Sequence, residues 1–440
     1  MMPFRTSNTT AQSDGVETER YSKGEPTPWH MLVFITALFY IIGHNFYASL
    51  NTSYSDIALA GDKAASVAGG NISRQIGYVT FGLYGVFGWL RKPRFLLNRH
   101  GFLASMLVAF LAWAVMSLAW STAPELTVRR LSSLGLMALG ISGMLRQVSG
   151  VSVVKVIFFS TLSYLIVGLG AEVVLGTFTP LASGYRFAGT LLPNLQGINC
   201  AALTLSAIAL SIASDRHRGA FAAVALSAVI FLVLTGSRGA LAGGIAGLTT
   251  VWLLRTPQLP ALMTICAVAC IVLLSLFLIL NGLAPSPVDL LIVERAPGAG
   301  LLTGRADLWG ILIDYAHDRP VLGYGYGAFF SAERGLDLAA RVGTWAFGGP
   351  HSIYFGTLVD LGATGLVALL GVLLGGVWES VRAYRNSLEP WYVLFAGLLV
   401  FQIVDGITEA EMVTPTPHLI PCLAIAFLAF RQNGRGRLAR

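Results

Sequence analysis

The sequence is poor in charged residues. Asp, Glu, Lys and Arg make up 12% of the 440 residues, whereas hydrophobic residues make up 55%. An ordinary soluble domain carries about 25% charged residues, because its surface faces water. The composition therefore excludes a soluble fold of this length and indicates a protein embedded in a lipid bilayer.

Cysteine is also scarce. The four cysteines fall within apolar stretches and lack paired spacing, so the sequence predicts neither a disulfide framework nor a zinc site. Residues 1–30 lack the short apolar core and the small-residue cleavage site of a signal peptide. Their mixed charge and their Ser, Thr and Gly content predict a disordered cytoplasmic tail.

Long apolar runs divide the rest of the chain. A transmembrane helix needs about 20 mostly apolar residues, because the hydrocarbon core is about 30 Å thick. Twelve such stretches, some of them short, predict an all-α integral membrane domain over 31–430. The predicted spans are 31–50, 76–90, 101–120, 129–145, 151–176, 195–214, 219–235, 240–255, 261–283, 351–378, 391–408 and 414–430.

The positions of lysine and arginine predict the orientation of these spans. Cytoplasmic loops close to span ends are enriched in both residues. With both termini in the cytoplasm, most of the 29 basic residues fall on the cytoplasmic side, including those of a basic tail at 431–440. The same topology places the one long loop, 284–350, in the periplasm.

Almost all basic residues left on the periplasmic side are arginines. They are Lys63, Arg74, Arg129, Arg130, Arg186, Arg238, Arg295, Arg305, Arg319, Arg334 and Arg341. A guanidinium offers a planar set of donors that suits phosphate and carboxylate, and it keeps its charge when partly buried. The bias therefore predicts anion binding, and the scatter of basic residues between apolar runs predicts no nucleic acid partner.

Two residues stand out near the predicted periplasmic surface. Arg238 lies in the tight connection 235–240, where a charge is costly unless a cavity or an anion receives it. The alternative is an arginine that reaches the interface and is solvated there. His351 follows Pro350 at the start of a span, where a neutral imidazole can accept a proton from a hydroxyl or, alternatively, cap the helix.

The long loop carries patterns of its own. Apolar residues at helical spacing predict an amphipathic helix over 305–317, lying on the membrane domain. The Gly-x-Gly-x-Gly run at 323–327 has no preceding strand and no following Lys-Ser/Thr, so it predicts a close backbone approach rather than a nucleotide loop. Glu409 and Glu411 at an outer span end lack a histidine or Asp-x-Asp partner, so no metal site is predicted there.

Taken together, these motifs resemble the O-antigen ligase and polysaccharide polymerase superfamily. The resemblance covers residues 30–430 and rests on the motifs' order and topology. The motifs are Arg186…Asn194, Ser237-Arg238-Gly239, Gly304-Arg305…Trp309, Gly323-x-Gly-x-Gly and His351-x-x-Tyr354…Gly362-x-x-Gly365. The segment 120–130, which ends at Arg130, is similar to the exopolysaccharide polymerisation branch of that superfamily.

The resemblance implies a metal-independent, inverting glycosyltransferase of the GT-C type, without a cofactor, in a bacterial inner membrane. Its donor is an undecaprenyl-diphosphate-linked glycan at the periplasmic face. Arg238 and Arg305 match residues that hold the donor diphosphate, and His351 matches a residue that helps to deprotonate the acceptor hydroxyl. The residues assigned to substrate binding are Arg186, Asn194, Arg130 and Tyr354.

The acceptor defines two versions of this function. Lipid A core as acceptor makes the protein a lipopolysaccharide O-antigen ligase, which is the first interpretation. A second lipid-linked glycan as acceptor makes it an O-antigen or exopolysaccharide polymerase.

A different class, a transporter or flippase of lipid-linked sugars, would place ionisable groups near the bilayer midplane and show repeated halves. Ionisable residues within the predicted spans are few, chiefly Glu172, Asp360 and Asp405, while the arginines collect at one face. This distribution favours the enzyme. A purely structural scaffold gives no reason for the arginine bias.

Overall fold

A computed structural model of the chain describes residues 32–37, 72–91, 101–182, 184–256, 260–280, 305–343, 349–409 and 419–430. The predicted tails 1–30 and 431–440 lie outside these residues, as do most of the first predicted span and residues 281–304 of the long loop. Every regular element in the described part of the chain is helical. The all-α class is therefore confirmed for these residues.

Eight numbered helices precede the long loop in the part of the chain that the structure describes, after a short helical segment at 32–37. They are α1 Ile72–Arg91, α2 Phe102–Met116, α3 Pro124–Leu145, α4 Gly150–Val174, α5 Pro193–Ala213, α6 Arg218–Leu234, α7 Arg238–Arg255 and α8 Ala261–Leu280. A 3-10 helix, Ser117–Trp120, extends α2. Each of these helices overlaps one predicted span.

The long loop and the C-terminal part of the chain add α9 Arg305–Asp318, α10 Ala332–Val342, α11 Ile353–Ser387, α12 Pro390–Asp405 and α13 Leu419–Phe430. Helix α9 coincides with the helix predicted over 305–317. It packs against α11, and the ring of Trp309 stacks on that of Phe355 with centroids 5.1 Å apart. Helix α11 is kinked at Gly362, whose backbone has φ 68° and ψ −172°, a feature that the hydropathy pattern did not predict.

Among the residues that the structure describes, four helices are long and apolar enough to cross a membrane by length and composition. They are Phe102–Trp120, Gly150–Val174, Pro193–Ala213 and Ile353–Ser387. Shorter apolar helices, among them α6 and α12, pack beside them. The described part of the chain is thus all-helical and consistent with a membrane protein, and the total of about twelve spans stays a prediction.

Glycines bring several helix pairs into close contact. A Cβ at Gly243 of α7 would lie 2.9 Å from the ring of Phe401, and a Cβ at Gly247 would lie 2.8 Å from the carbonyl oxygen of Gly397 in α12. In lipid, small residues at helix interfaces allow the close van der Waals packing that holds helices together. Helices α7 and α12 are therefore fixed against each other.

Helix α12 is enclosed by the other helices. Residues 393–405 are buried throughout, and the helix packs against α5, α7 and α11. The residues at its C-terminal end, 405–409, meet the N-terminal ends of these neighbours. The candidate functional site is built there.

Candidate functional site

The N-terminal ends of α5, α7, α9 and α11 come together around residues 405–409, here called the α12 turn. A helix N-terminus presents unpaired backbone N–H groups and the positive end of the helix dipole. Helices α5, α7 and α11 carry no acidic residue in the first turn to offset this positive end. Their convergence therefore creates a place that favours negative charge.

Glu409 connects two of these helix ends. Its Oε1 atom accepts a hydrogen bond from Asn194 Nδ2 at 2.6 Å, in the first turn of α5, and one from Arg305 Nη2 at 3.1 Å, at the start of α9. The side chains of Arg305 and Glu409 are 17% and 8% exposed. Burial raises the pKa of Glu409 above its ordinary value, while Arg305 and Asn194 favour the charged form and oppose that rise.

Arg186 connects the first turn of α5 to the turn that leads into α7. Its Nε donates to the carbonyl oxygen of Thr235 at 2.8 Å, and its Nη2 donates to Asn194 Oδ1 at 2.7 Å. Gly236, which follows Thr235, has a φ of 61°, a region that favours glycine. The guanidinium of Arg186 thus lies at the same cluster as Glu409 and Arg305.

Glu172 fixes the segment that carries Arg186. This carboxylate is 2% exposed and lies near the C-terminal end of α4. Its Oε2 accepts from the Tyr185 hydroxyl at 2.5 Å, and its Oε1 accepts from the backbone N–H groups of Ala188 and Gly189 at 2.9 and 2.7 Å. Both sides of Arg186 are therefore held by one buried carboxylate. Burial and this hydrogen bond raise the pKa of Tyr185, so its hydroxyl stays a donor.

Arg238 is the first residue of α7, after the N-cap Ser237, whose side chain accepts from the N–H of Ala240. The Nε and Nη1 atoms of Arg238 are buried. The next residue, Gly239, lies directly against the α12 turn, because a Cβ there would lie 3.0 Å from Asp405 Oδ1 and closer still to the Thr408 hydroxyl. Arg238 is thereby placed at the edge of the α12 turn.

His351 lies between α9 and the α12 turn. The indole N–H of Trp309 donates to the carbonyl oxygen of Pro350 at 3.0 Å, and the N–H of Ile353 donates to the carbonyl oxygen of Gly406 at 2.9 Å. His351 itself has a φ of 47°, in a left-handed region that is uncommon for a residue other than glycine. Such backbone persists where the surroundings over-determine it, and it is concentrated at functional sites.

Two of the residues assigned to substrate binding make structural contacts in this structure. The hydroxyl of Tyr354 donates to the carbonyl oxygen of Ile403 at 2.6 Å and ties α11 to α12. Arg130 lies elsewhere, with its Nη1 donating to the carbonyl oxygen of Gly327 at 2.5 Å. Arg130 thus joins α3 to the glycine run rather than to the α12 turn.

The glycine run 323–327 makes the close backbone approach that was predicted. Gly323, Gly325 and Gly327 have φ values of 67°, 108° and 66°. A Cβ at Gly325 would lie 2.7 Å from the side chain of Ser121, at the start of the segment that leads into α3. The side chain of Asp360 accepts from the N–H of Phe329 at 3.1 Å and anchors the end of the run to α11.

The arrangement around the α12 turn suits a ligand that carries several negative charges. Arg238 and Arg305 are each the first residue of a helix, where a positive charge is disfavoured by about 0.3–1 kcal/mol at the surface. An anion bound there would reverse this penalty and meet guanidinium donors as well. Among the described residues, no group of three or more His, Cys, Asp or Glu side chains is placed to hold a metal ion.

The arginines and Asn194 were predicted from the sequence, whereas the supporting roles of Glu409 and Glu172 were not. Glu409 was considered for a metal site only, and Glu172 only as an ionisable residue within a span. Both lie beside the predicted cluster. The partners of Glu409 are distant in sequence, with 215 residues between Asn194 and Glu409, whereas Glu172 contacts the backbone 16 and 17 residues further along the chain. In the sequence, the feature that could have identified Glu409 and Glu172 was their position at outer span ends, on the same face as the arginines.

Two comparisons with known proteins bear on the family of the chain. A family model described as O-antigen ligase matches residues 222–370, which include Arg238, Arg305 and His351. The chain is also similar to the exopolysaccharide production protein ExoQ of Rhizobium meliloti (strain 1021). The two are 24% identical over 348 residues, which cover 70% of this chain and 72% of the relative.

These two matches support the O-antigen ligase and polysaccharide polymerase superfamily, and the family resemblance noted in the sequence is confirmed. The similar protein from Rhizobium meliloti is named as an exopolysaccharide production protein, and the matching family is described as O-antigen ligase. Both matches support a ligase- or polymerase-type function in the membrane.

Proposed function

We propose that this protein is a glycosyltransferase that moves a glycan from an undecaprenyl-diphosphate-linked donor to an acceptor hydroxyl at the periplasmic face of a bacterial inner membrane. The observation that carries the proposal is the gathering of Arg186, Arg238 and Arg305 around the N-terminal ends of α5, α7 and α9. A diphosphate has the charge and the oxygen acceptors that such a cluster favours.

In the proposed reaction, the acceptor oxygen attacks the anomeric carbon of the donor sugar. The bond from that carbon to the diphosphate oxygen breaks, and attack from the opposite face inverts the configuration. Arg238 and Arg305 stabilise the charge that develops on the leaving diphosphate, an effect typically worth about 2.7–4 kcal/mol for each well-placed donor. His351 takes the proton of the acceptor hydroxyl as general base. No step in this scheme needs a metal ion.

The first candidate acceptor is lipid A core, which makes the protein a lipopolysaccharide O-antigen ligase, in line with the description of the matching family. The second is another lipid-linked glycan, which makes it a polymerase. The similarity to an exopolysaccharide production protein over 70% of the chain favours this second acceptor. Both reactions use the same donor and the same arginines.

The contacts of the buried acidic residues favour an enzyme over a transporter of lipid-linked sugars. Glu172 holds the segment around Arg186, and Asp360 holds the backbone after the glycine run. These carboxylates are engaged in fixing loops, whereas a transporter places ionisable groups along a path near the midplane. The contacts therefore favour an enzyme.

The test is incubation of the purified protein with an undecaprenyl-diphosphate-linked glycan, alone and with lipid A core. Glycan attached to the core identifies a ligase, and glycan that lengthens without the core identifies a polymerase. If neither product forms while the donor stays intact, the proposed reaction is wrong.

A further inference from the structure

One carboxylate oxygen bridges two parts of the arginine cluster. Glu409 Oε1 accepts from both Arg305 Nη2 and Asn194 Nδ2, and Asn194 Oδ1 accepts from Arg186 Nη2. Arg305, Asn194 and Arg186 come from the start of α9, the start of α5 and the segment before α5. A single acceptor atom thus couples the positions of two arginines that are 119 residues apart in sequence (305 minus 186).

The backbone around Glu409 is itself fixed. The N–H groups of Thr408 and Glu409 donate to the carbonyl oxygen of Asp405 at 2.9 and 3.0 Å, and the carbonyl oxygen of Gly406 accepts from the N–H of Ile353 at 2.9 Å. The carboxylate is 8% exposed. The position of Oε1 is therefore set by the fold rather than by solvent, which is a requirement for aligning other side chains.

A carboxylate is an unexpected neighbour for arginines that bind a diphosphate, since its charge repels the ligand. Its presence is understandable if it holds the guanidinium in place before the donor arrives. Glu409 contacts Arg305 through Nη2, and a guanidinium has five N–H donors, so other donors of Arg305 can meet a ligand. Arrangement of the site in advance is what makes such donors effective in the transition state.

We infer that Glu409 is a positioning residue, whose Oε1 aligns Arg305 and, through Asn194, Arg186 for the diphosphate of the donor. The inference rests on the proposed function. Glu409 acts through these side chains and does not contact the donor. Its loss therefore lowers turnover, whereas removal of its charge leaves donor binding equal or tighter.

The experiment compares Glu409→Ala, Glu409→Gln and Arg305→Ala in the full-length protein in lipid nanodiscs. The matched control is Asp337→Asn, which breaks an ion pair with Arg341 between side chains that are 44% and 53% exposed. The measurements are thermal unfolding, kcat and KM for glycan transfer, and binding of undecaprenyl diphosphate.

Glu409→Ala should lower kcat by about 10²-fold, the order expected when a catalytic geometry shifts by about 1 Å, without weakening the binding of undecaprenyl diphosphate. Glu409→Gln keeps an acceptor oxygen in the same place, so it should retain most of the turnover and bind undecaprenyl diphosphate at least as tightly as the wild type. Asp337→Asn should resemble the wild type throughout.

Wild-type kcat in Glu409→Ala would overturn the inference, as would Glu409→Gln with weakened binding of undecaprenyl diphosphate. If Glu409→Ala does not fold, Glu409→Gln is the test. Binding of undecaprenyl diphosphate at least as tight as in the wild type then supports the inference, and weakened binding overturns it. Arg305→Ala separates the inference from the proposed function. Wild-type turnover in Arg305→Ala contradicts the diphosphate site itself, whereas an inactive Arg305→Ala beside a normal Glu409→Ala removes only the role of Glu409.

Discussion

Replacing Gly239 by alanine should disturb the site through a single added methyl group. A Cβ at this position would overlap the hydroxyl of Thr408 and lie 3.0 Å from Asp405 Oδ1, so the α12 turn has to move. Overpacking of this kind typically costs about 1–3 kcal/mol. Alanine in place of glycine within a helix gains about 0.5–1 kcal/mol, which offsets part of the cost. The net expectation is a loss of about 0–2.5 kcal/mol in unfolding free energy.

The effect on transfer should be larger than the effect on stability. The α12 turn carries Glu409 and accepts the hydrogen bond that fixes the start of α11 beside His351. Movement of the turn by about 1 Å therefore displaces both ends of the site and should lower turnover by about 10²-fold.

Gly310 of α9 supplies the matched control. It is exposed, and a Cβ built there meets no atom within 4 Å. Gly310→Ala should therefore be neutral or should stabilise the protein by up to about 1 kcal/mol, with wild-type transfer. The assays are thermal unfolding in detergent and glycan transfer at saturating lipid-linked donor.

A double variant tests the cause. Thr408→Ala removes the hydroxyl that the new methyl group meets, so Gly239→Ala with Thr408→Ala should recover part of both stability and turnover. Such non-additivity is expected for residues in direct contact. If Gly239→Ala is as active and as stable as Gly310→Ala, the close contact between α7 and the α12 turn is wrong.

Four further outcomes are expected. Arg238→Lys and Arg305→Lys should both lose glycan transfer, because a point charge does not reproduce bidentate donation to a diphosphate. Near-normal transfer by the two lysine variants would contradict bidentate recognition. His351→Asn should fold, since asparagine tolerates positive φ. It should lose about 10²–10⁴-fold in kcat while still binding the donor. Reduced donor affinity with normal turnover would contradict the assignment of His351 as general base. Glu172→Ala should lower the melting temperature and turnover, because each buried donor left without its acceptor costs about 1–3 kcal/mol, and Glu172→Gln should lose less. A cysteine at the exposed Leu336 of α10, in a cysteine-free background, should react with an impermeant reagent in intact spheroplasts, and protection there would reverse the predicted topology.

Helix positions were predictable because hydropathy is a local property. The predicted spans 151–176 and 195–214 differ from α4 and α5 by two residues or fewer at each end. The kink at Gly362 was not predictable in the same way, since a glycine in an apolar run does not reveal its φ. The kink depends on contact with a distant segment, because a Cβ at Gly362 would overlap the backbone around Val321.

The arginines of the candidate site were predictable from the sequence, whereas the carboxylates that position them were not. Arginines on one face of a membrane protein stand out by residue type, so Arg186, Arg238 and Arg305 could be named from the sequence. Glu409 and Glu172 gain their roles only from tertiary contacts with Asn194 and with the backbone around Arg186. Arg130 carried the same local signal as the other arginines, yet it contacts the glycine run.

Release of undecaprenyl diphosphate measures the proposed donor chemistry without knowledge of the acceptor sugar. The purified protein, supplied with a lipid-linked glycan and either acceptor, should release one undecaprenyl diphosphate for each glycosidic bond formed. Arg238→Ala and Arg305→Ala should release almost none, while the surface variant Arg341→Ala should match the wild type. Equal release by all four proteins, or glycan transfer that leaves the diphosphate on the sugar, would contradict donor binding by the arginine cluster at the α12 turn.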